Sequence, residues 1–269
     1  MKPLKYTLLI LCILLAREPL WASTDKLQKH KILGIRTGIY NLSSLDNLYS
    51  PFNYSGKALV LGVHFGTESP GRNKETRLVF SNIHRDALSM TGIPSAYDPN
   101  HSLLVKQSFI FEAMDYFRFL IYDPGQDLRF YFSALWLTTV NITSNATGLP
   151  ELIQSGIAPG VMIRKNAGRH MFRTEIHTPL LALTVRNNYG MSSPQNFEEF
   201  SRFAFIFDNS MLQSCFSAPG IYADISYGFR LNHAFRIDAN YHFRYFQNSK
   251  PLTLRSTSGI YSLSIIYTR

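Results

Sequence analysis

The chain has 269 residues, 45% of them hydrophobic, with 20 Phe, 15 Tyr and a formal charge of +9. The basic residues are scattered rather than gathered in a patch, which argues against a nucleic-acid interface, and Cys12 and Cys215 are too few for a disulfide framework. Beyond the N-terminal stretch no segment has a convincing apolar period of 3.6 residues, so the pattern points to an all-β fold.

Residues 1–22 read as an export signal. Lys2 and Lys5 precede an apolar run from Tyr6 to Ala16, and small residues follow at Ala22-Ser23. The run has 11 residues, short of the roughly 20 that a membrane-crossing helix needs. Leu11 before Cys12 does not suit a lipoprotein cleavage site. Removal of the signal leaves residues 23–269 as one domain, lowers the charge from +9 by 2 to +7, and leaves Cys215 as that domain's lone cysteine.

Strands are then expected, in chain order, at 33–41, 57–66, 75–82, 107–122, 127–141, 156–165, 169–178, 180–187 and 199–208, each bounded by Gly, Pro, Asn or Asp. In 57–66, Leu59, Leu61, Val63 and Phe65 share one face while Gly62 and His64 share the other. In 127–141, Phe130, Phe132, Ala134, Trp136 and Val140 oppose Arg129, Tyr131, Ser133 and Thr139. The strand at 221–231 puts Ile221, Ala223, Ile225, Tyr227, Phe229 and Leu231 opposite Tyr222, Asp224, Ser226, Gly228 and Arg230. After Asn232-His233-Ala234, residues 235–245 repeat the pattern, with Phe235, Ile237, Ala239, Tyr241, Phe243 and Tyr245 against Arg236, Asp238, Asn240, His242 and Arg244. The last strand, 261–269, alternates Tyr261, Leu263, Ile265 and Tyr267 with Ser262, Ser264, Ile266 and Thr268. Compact turns are expected at Asp123–Gln126, Asn166–Gly168 and 232–234, and longer connections at 42–55, 83–106, 142–155, 209–219 and 247–258.

Pro179 cannot donate to a ladder, so 169–187 is split there. The split gives 12 strands, an even number, with 10 or 14 as the neighbouring counts. Asp115 falls on the aromatic face of 107–122, where a bulge would be needed to re-aim it.

Alternating strands, compact turns on one side, longer connections on the other and a final aromatic-rich strand together resemble the bacterial outer-membrane β-barrel proteins. The resemblance spans the mature chain from about residue 33, although Thr268 and Arg269 follow Tyr267 where such barrels usually finish on an aromatic residue. It implies a single antiparallel transmembrane barrel in the bacterial outer membrane, with Phe235, Tyr241, Phe243, Tyr245, Tyr261 and Tyr267 facing lipid. The competing arrangement is a soluble two-sheet sandwich that would bury those same rings between its layers. Expected partners are outer-membrane lipid and lipopolysaccharide, and other envelope proteins met through the extracellular loops; no nucleic acid is expected.

The polar faces gather Arg173, Glu175 and His177, Asp224 and Arg230, and Arg236, Asp238, His242 and Arg244 on three strands. Three uses fit these types. His242 or His177, oriented by Asp238 or Glu175, suits proton transfer because imidazole titrates near neutrality. A row of arginines suits passage of small anions. An ion-paired filling suits a narrow lumen, where charges need partners or water. Membrane-barrel hydrolases resemble one another in carrying His-x-Ser, Asp-x-Asp or Asp-x-His on one strand face, and none of these pairs occurs here. The seven-residue gap between His170 and His177, and the lack of Cys/His spacings, give no zinc signature, so no metal or cofactor is expected. The expected role is therefore non-catalytic, as a structural or assembly subunit of an envelope complex or a narrow small-solute channel. A lipid- or peptide-hydrolysing barrel that uses a lumen or loop histidine is the alternative.

Overall fold

A computed structural model describes residues 29–46, 50–69, 71–88, 105–125, 127–143, 150–186, 210–248 and 253–269. The expected export signal at 1–22, the expected strand at 199–208 and most of the connection at 83–106 lie outside them. The described residues form twelve strands: β1 (His30–Asp46), β2 (Ser50–Glu68), β3 (Arg72–Leu88), β4 (Val105–Gly125), β5 (Leu128–Thr143), β6 (Pro150–Ala167), β7 (His170–His177), β8 (Leu181–Arg186), β9 (Ser210–Ser214), β10 (Gly220–Arg230), β11 (Phe235–Asn248) and β12 (Leu254–Thr268).

Ten of them close on themselves. The order runs β5-β4-β3-β2-β1-β12-β11-β10-β7-β6, and β5 also pairs with β6. All pairings are antiparallel, and the first and last strands meet over a long register from Ile32 opposite Thr268 to Asp46 opposite Leu254. Closure leaves the ten-stranded wall without an edge, the arrangement that lets backbone groups cross a lipid phase fully paired. The wall seam has little spare room. A Cβ built on Gly38 would lie 2.6 Å from Ser262 Cα and 2.8 Å from Ser262 Cβ. Gly38→Val should therefore destabilise the barrel by about 1–3 kcal/mol, seen as a lower temperature for the heat-modifiable gel shift; an unchanged transition would show that the seam yields.

The expected reversal at Pro179 does not occur. β7 and β8 both pair with β6, His177 opposite Gly160 and Leu181 opposite Ile157, so they are collinear pieces of one rising line. Around Pro179, Thr178 N donates to Pro159 O at 3.0 Å and Leu180 N to Ile157 O at 2.8 Å. The proline removes one donor and leaves its neighbours' rungs in place. In the same way β9 continues the line of β10 after an excursion at Ser214–Ala218, where Ala218 N donates to Ser214 O. Strands β8 and β9 thus extend the wall at one end instead of adding two staves to it.

Side chains alternate across this wall with polar groups inside and apolar ones outside. Leu33, Ile35, Leu61, Ile225, Leu263 and Ile265 are each more than half exposed, while Arg36, Arg77, Arg118, Glu175 and His177 are buried. A soluble sandwich has the reverse distribution, which excludes it. On the outer face Tyr241 stacks on Tyr261 with centroids 4.5 Å apart, and Phe235 lies 5.3 Å from Tyr267; Phe243 and Tyr245 are half-buried on the same face. Asp115 keeps its outward position without a bulge, and Thr76 Oγ1 donates to it. The strands also run further than their apolar stretches. Beyond Ile39, Leu59 and Tyr261 the outward rows turn polar or small at Asn41, Ser43, Lys57, Ser55, Gly259 and Thr257, yet pairing continues. The connections expected at 42–55 and 247–258 are consequently shorter than expected, because polar strand residues above a lipid belt carry no apolar alternation to mark them.

Candidate functional site

Lumen-facing residues of β2, β3, β4, β7 and β10 meet in a buried network. On β3, Glu75 and Arg77 are two apart and so share the inner face. Glu75 accepts from Arg77 Nε, from Arg118 Nη1 at 2.7 Å and from Arg173 Nη1 at 3.0 Å, and His64 Nε2 lies 3.3 Å away. Arg118, from β4, reaches across to Glu175 on β7, donating from Nε at 3.0 Å to each carboxylate oxygen and from Nη2 at 2.7 Å. Arg77 turns to the opposite wall, where its Nη1 donates to Asp224 Oδ1 at 2.8 Å. Tyr116 completes the centre. Its hydroxyl donates to Asp224 Oδ2 at 2.8 Å, and the guanidinium carbons of Arg77 and Arg118 each lie 4.5 Å from its ring centroid.

Two further stations flank this centre. Towards the long-connection end, Arg244 Nη1 lies 2.9 Å from Glu112 Oε1 and donates to Thr139 Oγ1 at 2.6 Å, while Tyr40 OH donates to Glu112 Oε1 at 2.9 Å. Towards the short-turn end, Arg236 Nε donates to Asp238 Oδ1 at 2.7 Å and Arg164 pairs with Glu68. Between and above the charges sits an apolar cluster that includes Tyr40, Val60, Val79, Met114, Leu135 and Ile260, all fully buried. The lumen is a filled core. Cavities of about 30 Å³ beside Tyr40 and Arg244 and about 20 Å³ beside Glu75 and Arg118 lie at its two ends, each roughly the space of one or two waters.

Of the residues singled out from the sequence, Arg173, Glu175, His177, Asp224, Asp238, His242 and Arg244 are buried inside, and Arg236 is nearly so. Arg230 departs from that group. It sits one alternation below Gly228, at the last inward position of β10, where the wall ends and its side chain is exposed. Sequence reasoning missed Tyr40, His64, Glu75, Arg77, Glu112, Tyr116 and Arg118. Collecting every charged residue of one strand parity would have found Glu75 with Arg77 and Glu112 with Arg118; nothing in the sequence marks the tyrosines.

Structural comparison places this arrangement. No protein-family model and no curated protein matches the chain. Among solved structures, the outer membrane protease OmpT from Escherichia coli superposes with a TM-score of 0.54, covering 92% of this chain and 100% of that one at 7% sequence identity. The chain has the fold of a bacterial outer-membrane β-barrel. The barrel is also matched by the translocator domain of the autotransporter NalP from Neisseria meningitidis, over 99% of this chain and 95% of that one, at 9% identity and a TM-score of 0.43. At such identities the likeness is one of fold, and no activity passes with it.

His177 and His242 lie within this polar network. His177 Nε2 lies 3.0 Å from Ser133 Oγ and 3.3 Å from Glu175 Oε1, a set of residue types that suggests a hydrolytic triad. The geometry differs from one. A relay needs the acid on one ring nitrogen and the hydroxyl on the other, whereas here both crowd Nε2, and Glu175 itself accepts from Ser133. All of these groups are buried inside the barrel. His242 Nδ1 lies 3.2 Å from Asp224 Oδ2 in the same enclosed setting. Among the described residues no three His, Cys, Asp or Glu side chains converge as metal ligands do.

Proposed function

We propose that this barrel is a non-catalytic outer-membrane protein, a structural or assembly subunit of an envelope complex that works through its long-connection end rather than through its lumen. The observation that carries this reading is the packed plug of Glu75, Arg77, Tyr116, Arg118 and Glu175 under the apolar cluster, which separates two cavities of water size. A conduit needs a continuous wet path with sites that an ion can leave as well as enter. A lumen filled to this degree leaves the outer surface and loops as the working parts.

Planar-bilayer recording tests this directly. The purified barrel should insert without producing discrete conductance steps, and Arg236→Ala combined with Arg244→Ala should leave the bilayer silent. Reproducible steps whose ion selectivity changes in that double variant would make the protein a channel. Extraction in mild detergent should in turn retain defined envelope proteins in stoichiometric amounts.

A further inference from the structure

Apart from the two water-sized cavities, the lumen opens at its short-turn mouth. There the wall encloses an open depression of about 470 Å³, within the range of small-molecule sites. Its lining combines inward strand-end residues, among them Arg129, Arg164, Arg230, Arg236 and one carboxylate, Glu68, with the 232–234 turn and Phe235 at its rim. Four guanidiniums therefore face a space that holds a single negative charge.

The existing pairs do not use up this positive character. Glu68 is taken by Arg164, with Arg236 Nη1 3.9 Å away. Arg236 turns its Nε to Asp238, deeper in the lumen, and Arg129 donates from Nε to Asp123 Oδ2 at 2.9 Å outside the depression. Arg230 is exposed and has no ion-pair partner among the described residues. Immediately inward lies the network of Glu75, Arg118 and Arg173, which closes the floor.

We propose that this mouth is a dead-end cup for a phosphate-class oxyanion. A planar guanidinium presents paired N–H groups that match two oxygens of a phosphoryl group. Guanidiniums arriving from β5, β6, β10 and β11 surround a tetrahedral anion from several sides, which a row along one strand would not do. Short turns mark the periplasmic end of such barrels, so the ligand comes either from free phosphate compounds of that compartment or from a phospholipid headgroup of the facing leaflet. The proposal relies on the closed lumen above only for the cup being blind: conductance measurements test the closure, and binding measurements test the cup.

The experiment is calorimetric titration of the intact barrel, in a non-ionic detergent and phosphate-free buffer, with inorganic pyrophosphate. Binding should be saturable and should weaken as NaCl is raised. Arg230→Ala should weaken it about tenfold, the loss of one charged hydrogen-bonding partner, and Arg129→Ala added to it should weaken it further, while the heat-modifiable gel shift confirms that both variants remain folded. Displacement of pyrophosphate by dihexanoyl phosphatidic acid assigns the headgroup source; failure to displace assigns the free one. Absence of saturable binding, equal affinity in wild type and Arg230→Ala, or tighter binding of a hexaglutamate peptide than of pyrophosphate would overturn the assignment, the last by making the cup a seat for an acidic protein segment.

Discussion

Glu75→Gln should destabilise the barrel by about 3–5 kcal/mol, the usual consequence of removing one partner from a buried ionic cluster. Glu75 is the anion shared by Arg77, Arg118 and Arg173, and the amide keeps its shape while removing its charge. Three guanidiniums then remain close together beside a cavity of only about 20 Å³, room for roughly one or two waters, and only two acids, Glu175 and Asp224, remain to serve Arg118 and Arg77. Urea titration of the barrel in lipid vesicles, followed by tryptophan emission, gives the measurement. Adding Arg173→Met should restore part of the loss, since it removes one of the cations left unbalanced. A loss below about 1 kcal/mol would mean that the cluster is hydrated and weakly coupled.

Leu263→Arg should cost about 2–4 kcal/mol in the same assay, whereas Thr257→Arg should cost no more than about 1 kcal/mol, the difference between the middle of a lipid belt and its edge. Both residues point outward from β12. Leu263 is flanked along its strand by Tyr261 and Ile265, with Tyr267 beyond, and is 59% exposed, while Thr257 is followed outward by Arg255. Their backbones are equally well paired, with Thr37 and Ser43 of β1 respectively, so the comparison isolates the surrounding medium. Equal costs would place the boundary of the apolar belt elsewhere and would undo the reading of Asn41, Lys57 and Thr257 as its upper margin.

The parts of the fold that were legible in the sequence are those in which one face is apolar and the other strongly polar. β10, β11 and β12 are of this kind, and their registers put Tyr241 opposite Tyr261 and Asp224 opposite His242. β4 was harder, because Ile110, Met114 and Tyr116 face inward while Phe109, Phe111 and Phe117 face outward. Both faces read as greasy, which concealed Glu112 and Arg118 as members of an interior row. Pairing across the lumen was beyond local pattern altogether: Arg77 meets Asp224 across 147 residues of chain, and only closure of the cylinder brings them together. The strand total of twelve emerged from a split at Pro179 that assumed a reversal. What the proline causes is one missing rung, tolerated because Thr178 and Leu180 keep theirs and because Gly220, opposite, leaves space for the ring: a Cβ there would come within 2.9 Å of Pro179 Cγ.

The continuation of pairing past the greasy zone makes the upper wall a pedestal. From Ile39 to Asp46, β1 climbs seven residues, still bonded to β2 and β12, which at about 3.3 Å per residue and a tilt near 40° lifts its tip about 18 Å above the hydrocarbon. Anything that docks on that tip would meet the barrel from the aqueous side, clear of the headgroups.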